Sequence, residues 1–445
     1  MATTTRHFFP NFNGLLAQLP DRRDPERVEY AVPFLMWWEL VMFSGKLGSR
    51  RQLDYQLRYS PCVLENINRL AGTSQTTLPS NKTPDYLLHL TDPRNLANVR
   101  REMNRQLLED RVLDNDRLEG RIVVAVDGTC FLTFTRRHCD RCITQRHATG
   151  TIYLHPVLEA KIVSARGLAL SIGTEFIENP PGLTDGDYQS IKQDCELTAF
   201  KQRLAPQLKA DFPRLAICIV CDALFACGPV MAICEGYRWD YILSFKQGSL
   251  PTVWENVQQL LLLVPNNTRT IDLPGGGRQV YRWVNRVPYV DSEGREHTFD
   301  VIICEETVDA KTTTFAWITS FTVTKDNVVN IATNGGRPRW NIENQGFNTQ
   351  KNGGYNLEHA YSHDPNVMKC YYYLLQIAHT IMQLVEKGSL LKAAARTCGD
   401  TVASLFGGLR GIARCLLDCL RFFRIPEAAF DPDAARHIQI RLDTS

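Results

Sequence analysis

Ile122-Val123-Val124-Ala125-Val126-Asp127 and Leu215-Ala216-Ile217-Cys218-Ile219-Val220-Cys221-Asp222 are two apolar runs that each end on an aspartate. Neither run alternates, so each reads as a strand buried on both faces, in a sheet covered by helices. A carboxylate at the exit of such a strand faces the ligand edge of the sheet. Placed side by side, the two strands would bring Asp127 and Asp222 together although almost a hundred residues separate them. Glu343, in the segment Arg339-Trp340-Asn341-Ile342-Glu343, would complete the cluster from a helix. Mutually repelling carboxylates call for a neutralising cation, here Mg²⁺ or Mn²⁺ with oxygen ligands. Two such ions about 3.5–4 Å apart stabilise the attacking and leaving oxygens of a phosphodiester displacement. An Asp after a strand is also a common turn former or helix cap, and Asp127 is followed by Gly128-Thr129.

The wording around all three acids resembles the DDE transposases of bacterial insertion sequences, in the branch whose third motif reads Tyr, two residues, Arg, three residues, Glu, six residues, Lys. The first motif stands as Val126-Asp127-Gly128-Thr129, and the second as Cys221-Asp222-Ala223-Leu224-Phe225-Ala226 followed by Gly228-Pro229-Val230. The third runs from Arg339 through Glu343 to Lys351 and on into Asn352-Gly353-Gly354-Tyr355. The resemblance reaches back to Gly48-Ser49-Arg50-Arg51-Gln52-Leu53-Asp54 and covers roughly residues 20 to 390. Gly336 stands where the family has Tyr, and Lys351 comes one residue after the usual Lys, a displacement of about 100° on a regular helix.

The resemblance implies an α+β fold: an RNase-H-like catalytic core interrupted by a β-rich insertion and flanked by helical N- and C-terminal segments. The divisions fall at 1–120 (helical), 121–246 (first part of the core), 247–324 (insertion), 325–390 (second part, with the Glu343 helix) and 391–445 (helical tail). It further implies a cut-and-paste transposase in which Asp127, Asp222 and Glu343 hold two Mg²⁺ or Mn²⁺ ions. Arg339, and Lys351 more weakly, would meet backbone phosphates. The partners would be double-stranded DNA, as element ends and target, and a second copy of the chain. Two other classes share these residues: a metal-dependent nuclease without strand transfer, and a catalytically idle, transposase-derived DNA-binding protein.

Composition bounds these readings. At 445 residues the chain exceeds one hydrophobic core, and a formal charge of +2 leaves DNA affinity to local patches. Fourteen cysteines without an N-terminal signal peptide point to a reducing compartment, the bacterial cytoplasm beside the nucleoid, and to no disulfides. Ala31 to Phe43 is too short for a membrane span and reads as a buried helix.

Asn95 to Leu113 reads as a helix with an apolar stripe and a basic face of Arg100, Arg101 and Arg105. That face would either bind terminal repeats or lie solvated on a packing helix. Tyr153–Val163 and Leu168–Phe176 read as strands, Asp194 to Lys209 as a helix, and Tyr241–Phe245 as a further strand. From about Gln247 to Thr324 the text is a run of hairpins, in which Trp283 and Arg282 would touch the cut DNA end by stacking and phosphate contact. The alternation there equally allows Trp283 to be the apolar face of a hairpin. The helix expected over Val367 to Glu386 places His379 in a packing position, and Arg410, Arg414, Arg421 and Arg424 lie in an amphipathic tail that would pair with another subunit or touch DNA.

One other cluster carries chemistry. Cys139 and Cys142 have the two-residue gap with which two thiolates grip one Zn²⁺, and further ligands would come from His138, His147 or His155. A reactive dithiol and ordinary cysteines in a basic hairpin are the other readings. Arg136, Arg137, Arg141, Arg146 and His147 make this loop a DNA-backbone contact under any of them.

Overall fold

In the computed structural model the chain is a mixed α/β protein built on one large mixed sheet; the structure describes residues 1–148, 150–182 and 193–431. The strands are β1 (Ile122–Phe134), β2 (Ile143–His147), β3 (Gly150–Val163), β4 (Ala169–Phe176), β5 (Ile217–Cys221), β6 (Asp240–Ser244), β7 (Thr268–Asp272), β8 (Arg278–Val290), β9 (Glu296–Val308) and β10 (Lys311–Thr319). Their spatial order is β2-β3-β1-β5-β6-β10-β9-β8-β7, with β4 also paired to β3. β1, β5 and β6 are mutually parallel neighbours, and β3 is antiparallel to β1. β2 and β4 share the outer edge of β3, pairing with residues 150–154 and 157–163 respectively.

The helices that matter to the site are α1 (Val32–Ser44), α2 (Pro93–Glu109), α3 (an interrupted helix over 196–211), α4 (Gly228–Tyr237), α5 (Pro251–Leu263), α6 (an irregular helix over 328–352), α7 (Pro365–Lys387) and α8 (Leu409–Phe422). α1 is apolar all round and buried along nearly its whole length, as a helix at the centre of a core must be. Among the described residues no helix is long and apolar enough to cross a membrane.

Period-2 alternation splits β1 between two cores. Val124 and Val126 join a core built with α1, α2, α3 and α7, whereas Val123 and Ala125 point to the opposite face. There Ile331, Ala332, Ile342 and Phe347 of α6 cover the sheet. The same core takes in Tyr281, Trp283, Cys304 and Trp317, so the hairpin segment is continuous with the central sheet. β10 makes the join by pairing with β6 over Thr319↔Ile242 to Trp317↔Ser244.

Several expectations need correction. β1 does not stop at Asp127 but runs on to Phe134, paired with β3 from Val124 onward with one irregularity between Cys130 and Leu132. The segment read as hairpins alone opens with α5, whose leucines 262 and 263 are exposed and give no clear stripe. The basic face expected on α2 is consumed within the fold. Arg100 is buried and bonds to Ser171 and Thr174 of β4, while Arg101 and Arg105 meet Asp211 and Glu102. Of the expected tail, α8 is present with Arg421 on it, and residues beyond 431 lie outside those described.

Candidate functional site

β1 and β5 pair in register from Ile122↔Ile217 to Val126↔Cys221, and each strand's next residue is an aspartate. Asp127 and Asp222 therefore stand at one level on adjacent strands. Both follow residues of the α1-side core, so both project to the face covered by α6. Asp127 Oδ1 accepts from the Gly128 N–H at 2.9 Å, and Asp222 Oδ1 accepts from the Leu224 N–H at 2.9 Å, capping a short turn.

α6 supplies the remaining groups through unusual winding. π turns over Ile331–Gly336 and Ile342–Asn348 flank the 3₁₀ turn Arg337–Arg339. From this helix Arg339 Nη1 lies 2.8 Å from Glu343 Oε1 and 3.5 Å from Asp127 Oδ2, joining the two acids. Arg339 is buried, Asp127 nearly so, and Glu343 is open to solvent on one side. Gly335 and Gly336 let α6 approach the sheet: a Cβ on them would fall 2.3 Å from Ile242 Cδ1 and 2.5 Å from Trp317 Nε1. A Tyr has no room at 336.

A fourth carboxylate was not singled out from the sequence. Glu196 opens α3, and its Oε1 lies 1.9 Å from where a Cβ on Gly128 would be, so glycine at 128 is what admits it. Its only sequence signal is its place at a helix start, where acids are common. Burial and the nearby Asp222 push its carboxyl upward. Burial, then Glu343 and Asp222, push the Asp127 carboxyl up to about 7 against the opposing pull of Arg339. The site is thus short of positive charge. Its donors are all carboxylate oxygens, a set suited to hard divalent cations.

The other expected residues fall elsewhere. Lys351 Nζ is 2.8 Å from Glu358, and Gln350, in the family's Lys place, turns into the core to meet Gln376 and His379. Arg282 pairs with Glu305 across the strands at 2.5 Å. Trp283 is 4 % exposed and packed under α6, so it offers no ring to a base. The exposed aromatic beside the acids is Trp340, 52 % exposed with Arg339 over its ring at 5.2 Å. His379 is a buried packing residue, as expected. Cys139, Cys142 and His155 converge with His138. His147 does not join them, because it lies exposed at the far end of β2.

No protein-family model matches the chain, and no curated protein matches it significantly.

Proposed function

We propose that the chain is a metal-dependent DNA transposase of the DDE type, with an RNase-H-like core formed by β4-β3-β1-β5-β6. One observation carries the reading: the β1–β5 register ends at Val126↔Cys221, so Asp127 and Asp222 follow side by side, with Arg339 tying Asp127 to Glu343. Two structural aspartates need not share a level and a face, with one of them bridged by an arginine to a third acid. The sheet order and the continuation of the central sheet by a β-rich insertion between Asp222 and Glu343 support it further.

Asp127, Asp222 and Glu343, with Glu196 at the rim, would hold two Mg²⁺ or Mn²⁺ ions, which when bound supply Lewis-acid stabilisation of the attacking and leaving oxygens of a phosphodiester. Arg339 fixes Asp127 and Glu343 relative to each other and presents a planar fork where a backbone phosphate would meet the carboxylates. Trp340, in place of Trp283, gives a face for an unpaired base. The substrates would be double-stranded element ends and target DNA, met by a homodimer in the bacterial cytoplasm.

The test is cleavage and strand transfer on DNA carrying the inverted repeats that flank the gene, with Mg²⁺ or Mn²⁺. Asp127→Ala, Asp222→Ala and Glu343→Ala should each abolish both reactions and leave DNA binding in place. Near-wild-type cleavage by any of them removes that residue from the site. Cleavage without strand transfer would identify a nuclease, and binding without cleavage an idle descendant.

A further inference from the structure

On the far side of β1 from the acids, the loop between β1 and β2 folds back over β3 and brings four side chains of a different chemistry together. Cys139 Sγ and Cys142 Sγ are 3.2 Å apart, and His155 Nε2 is 3.6 Å and 3.3 Å from them. His138 Nδ1 lies 3.4 Å from His155 Nε2 and 3.9 Å from Cys142 Sγ. All four atoms fall within 4.8 Å of one another. We propose that Cys139, Cys142, His138 and His155 form a structural Zn²⁺ site that closes this loop, separate from the carboxylate site.

Zn–S bonds of about 2.3 Å and Zn–N bonds of about 2.0–2.1 Å make a tetrahedron whose edges are roughly 3.3–3.8 Å, close to the separations of 3.2–3.9 Å given for these atoms. The two sulfurs are well beyond the ~2.05 Å of a disulfide. Three ligands come from the loop and the fourth from β3, so one ion would pin the loop to the sheet.

The surroundings also suit a ligand set. His138 Nε2 is 3.0 Å from the His363 carbonyl, which accepts only if Nε2 carries the hydrogen, and this leaves Nδ1 as a lone pair facing the cluster. Such an outer hydrogen bond is the usual means of fixing a metal-binding imidazole. Phe134 stacks on His138 with ring centroids 4.4 Å apart, and Cys142 and His155 are buried. Burying a thiolate pair there without a cation would be costly, whereas two thiolates, two neutral imidazoles and Zn²⁺ sum to zero charge. Soft sulfur and imidazole select Zn²⁺ and reject Mg²⁺, the reverse of the carboxylate cluster.

The consequence is mechanical. Residues 135–142 lie between strands, and beyond the proposed ligands they are held by Asn179, which bonds to the Arg141 and Cys142 carbonyls, by Glu178, which pairs with Arg141, and by Asp140, which accepts from the Gly182 N–H. The outer side of this hairpin carries the exposed Arg136, Arg141 and Arg146. A Zn²⁺ staple would hold them at a fixed place, and through His363 would tie them to the start of α7.

The full-length chain, purified with its thiols reduced, should retain one Zn²⁺ per chain by elemental analysis. Replacement with Co²⁺ should give the intense visible bands of tetrahedral coordination and a thiolate-to-metal charge-transfer band. Cys142→Ser and His155→Ala should lose the zinc, while Cys195→Ser, an exposed cysteine outside the cluster, should keep it. His147→Ala should keep it as well. Should the ligand variants fail to fold, the Co²⁺ spectrum of the intact protein decides. The proposal is overturned by a reduced wild-type chain that retains no zinc, by an octahedral Co²⁺ spectrum, by full zinc retention in Cys142→Ser, or by isolation of Cys139 and Cys142 as a disulfide from anaerobic preparations. None of these readouts uses DNA cleavage, so this site and the carboxylate site fail independently.

Discussion

Asp127 holds its proton into the neutral range because it is buried among acids with a single arginine for relief. Its folded-state pKa of about 7 lies above the 3.8 of an ordinary aspartate, so the folded protein keeps a proton that the unfolded chain has lost. Without Mg²⁺ or Mn²⁺, stability contributed by this group is therefore present at low pH and is lost as pH rises from about 4 to about 7. Asp127→Asn should flatten that fall, and at pH 8 in Mg²⁺- and Mn²⁺-free buffer it should be more stable than wild type by on the order of 1–3 kcal/mol, while being inactive. Urea unfolding at pH 5 and pH 8 checks this; a variant less stable than wild type at pH 8 would contradict it. Arg339→Lys keeps the charge and loses the fork that reaches both Asp127 and Glu343, so the DNA-cleavage rate should fall by about tenfold or more with folding intact. Unchanged cleavage would leave Arg339 only the role of an ion-pair partner.

At the scale of the element, α6 does what a regular helix cannot. Its two π turns set Arg339 and Glu343 toward the sheet while Gln350 points into the core and Lys351 outward to Glu358. Its glycines bring it within reach of β6 and β10. Gly336→Ala would drive a methyl against the Trp317 indole, and overpacking of this kind costs about 1–3 kcal/mol. The shift must also move Arg339, three residues on, so DNA cleavage should fall more than the stability loss explains. A neutral effect in thermal melts would mean that α6 has slack at this contact. A side chain at 336 is thus barred by the Trp317 indole.

Across the whole molecule, a buried polar chain joins the N-terminal helices, the sheet and the C-terminal helices. Arg100 on α2 reaches Thr174 on β4, which donates to Glu159 on β3; Glu159 pairs with Lys161 at 3.2 Å, and Lys161 donates to Gln376 on α7. Glu159 and Lys161 are fully buried, and burial pulls the Lys161 ammonium down. Breaking such a pair leaves one charge unpaired in the core, so Lys161→Met should destabilise the chain by about 3–5 kcal/mol. Adding Glu159→Gln should recover part of that loss. If the double variant were as unstable as the single one, packing around Lys161 and not charge would account for the effect.

The sequence by itself determined the strands and several helices around the acids. Ile217–Cys221 was legible because an unbroken apolar run bounded by turn residues has few other readings. Cys139 and Cys142 were legible as a pair because their spacing is local. What depended on contacts between distant residues was decided only by the tertiary structure. Trp283 alternates like any hairpin aromatic, and only the docking of α6 fixes its face as the buried one. Arg100, Arg101 and Arg105 read as a free basic stripe until β4 and Asp211 are seen to occupy them. Glu196 has no motif, and it enters the site because Gly128 leaves its space open. His138 joins the Cys139, Cys142 and His155 cluster and His147 does not, because a loop folded onto β3 brings positions 138 and 155 together while β2 carries 147 away. Local pattern fixes an element's type and one buried face; which charges are neutralised, and by whom, is set by packing between segments far apart in the chain.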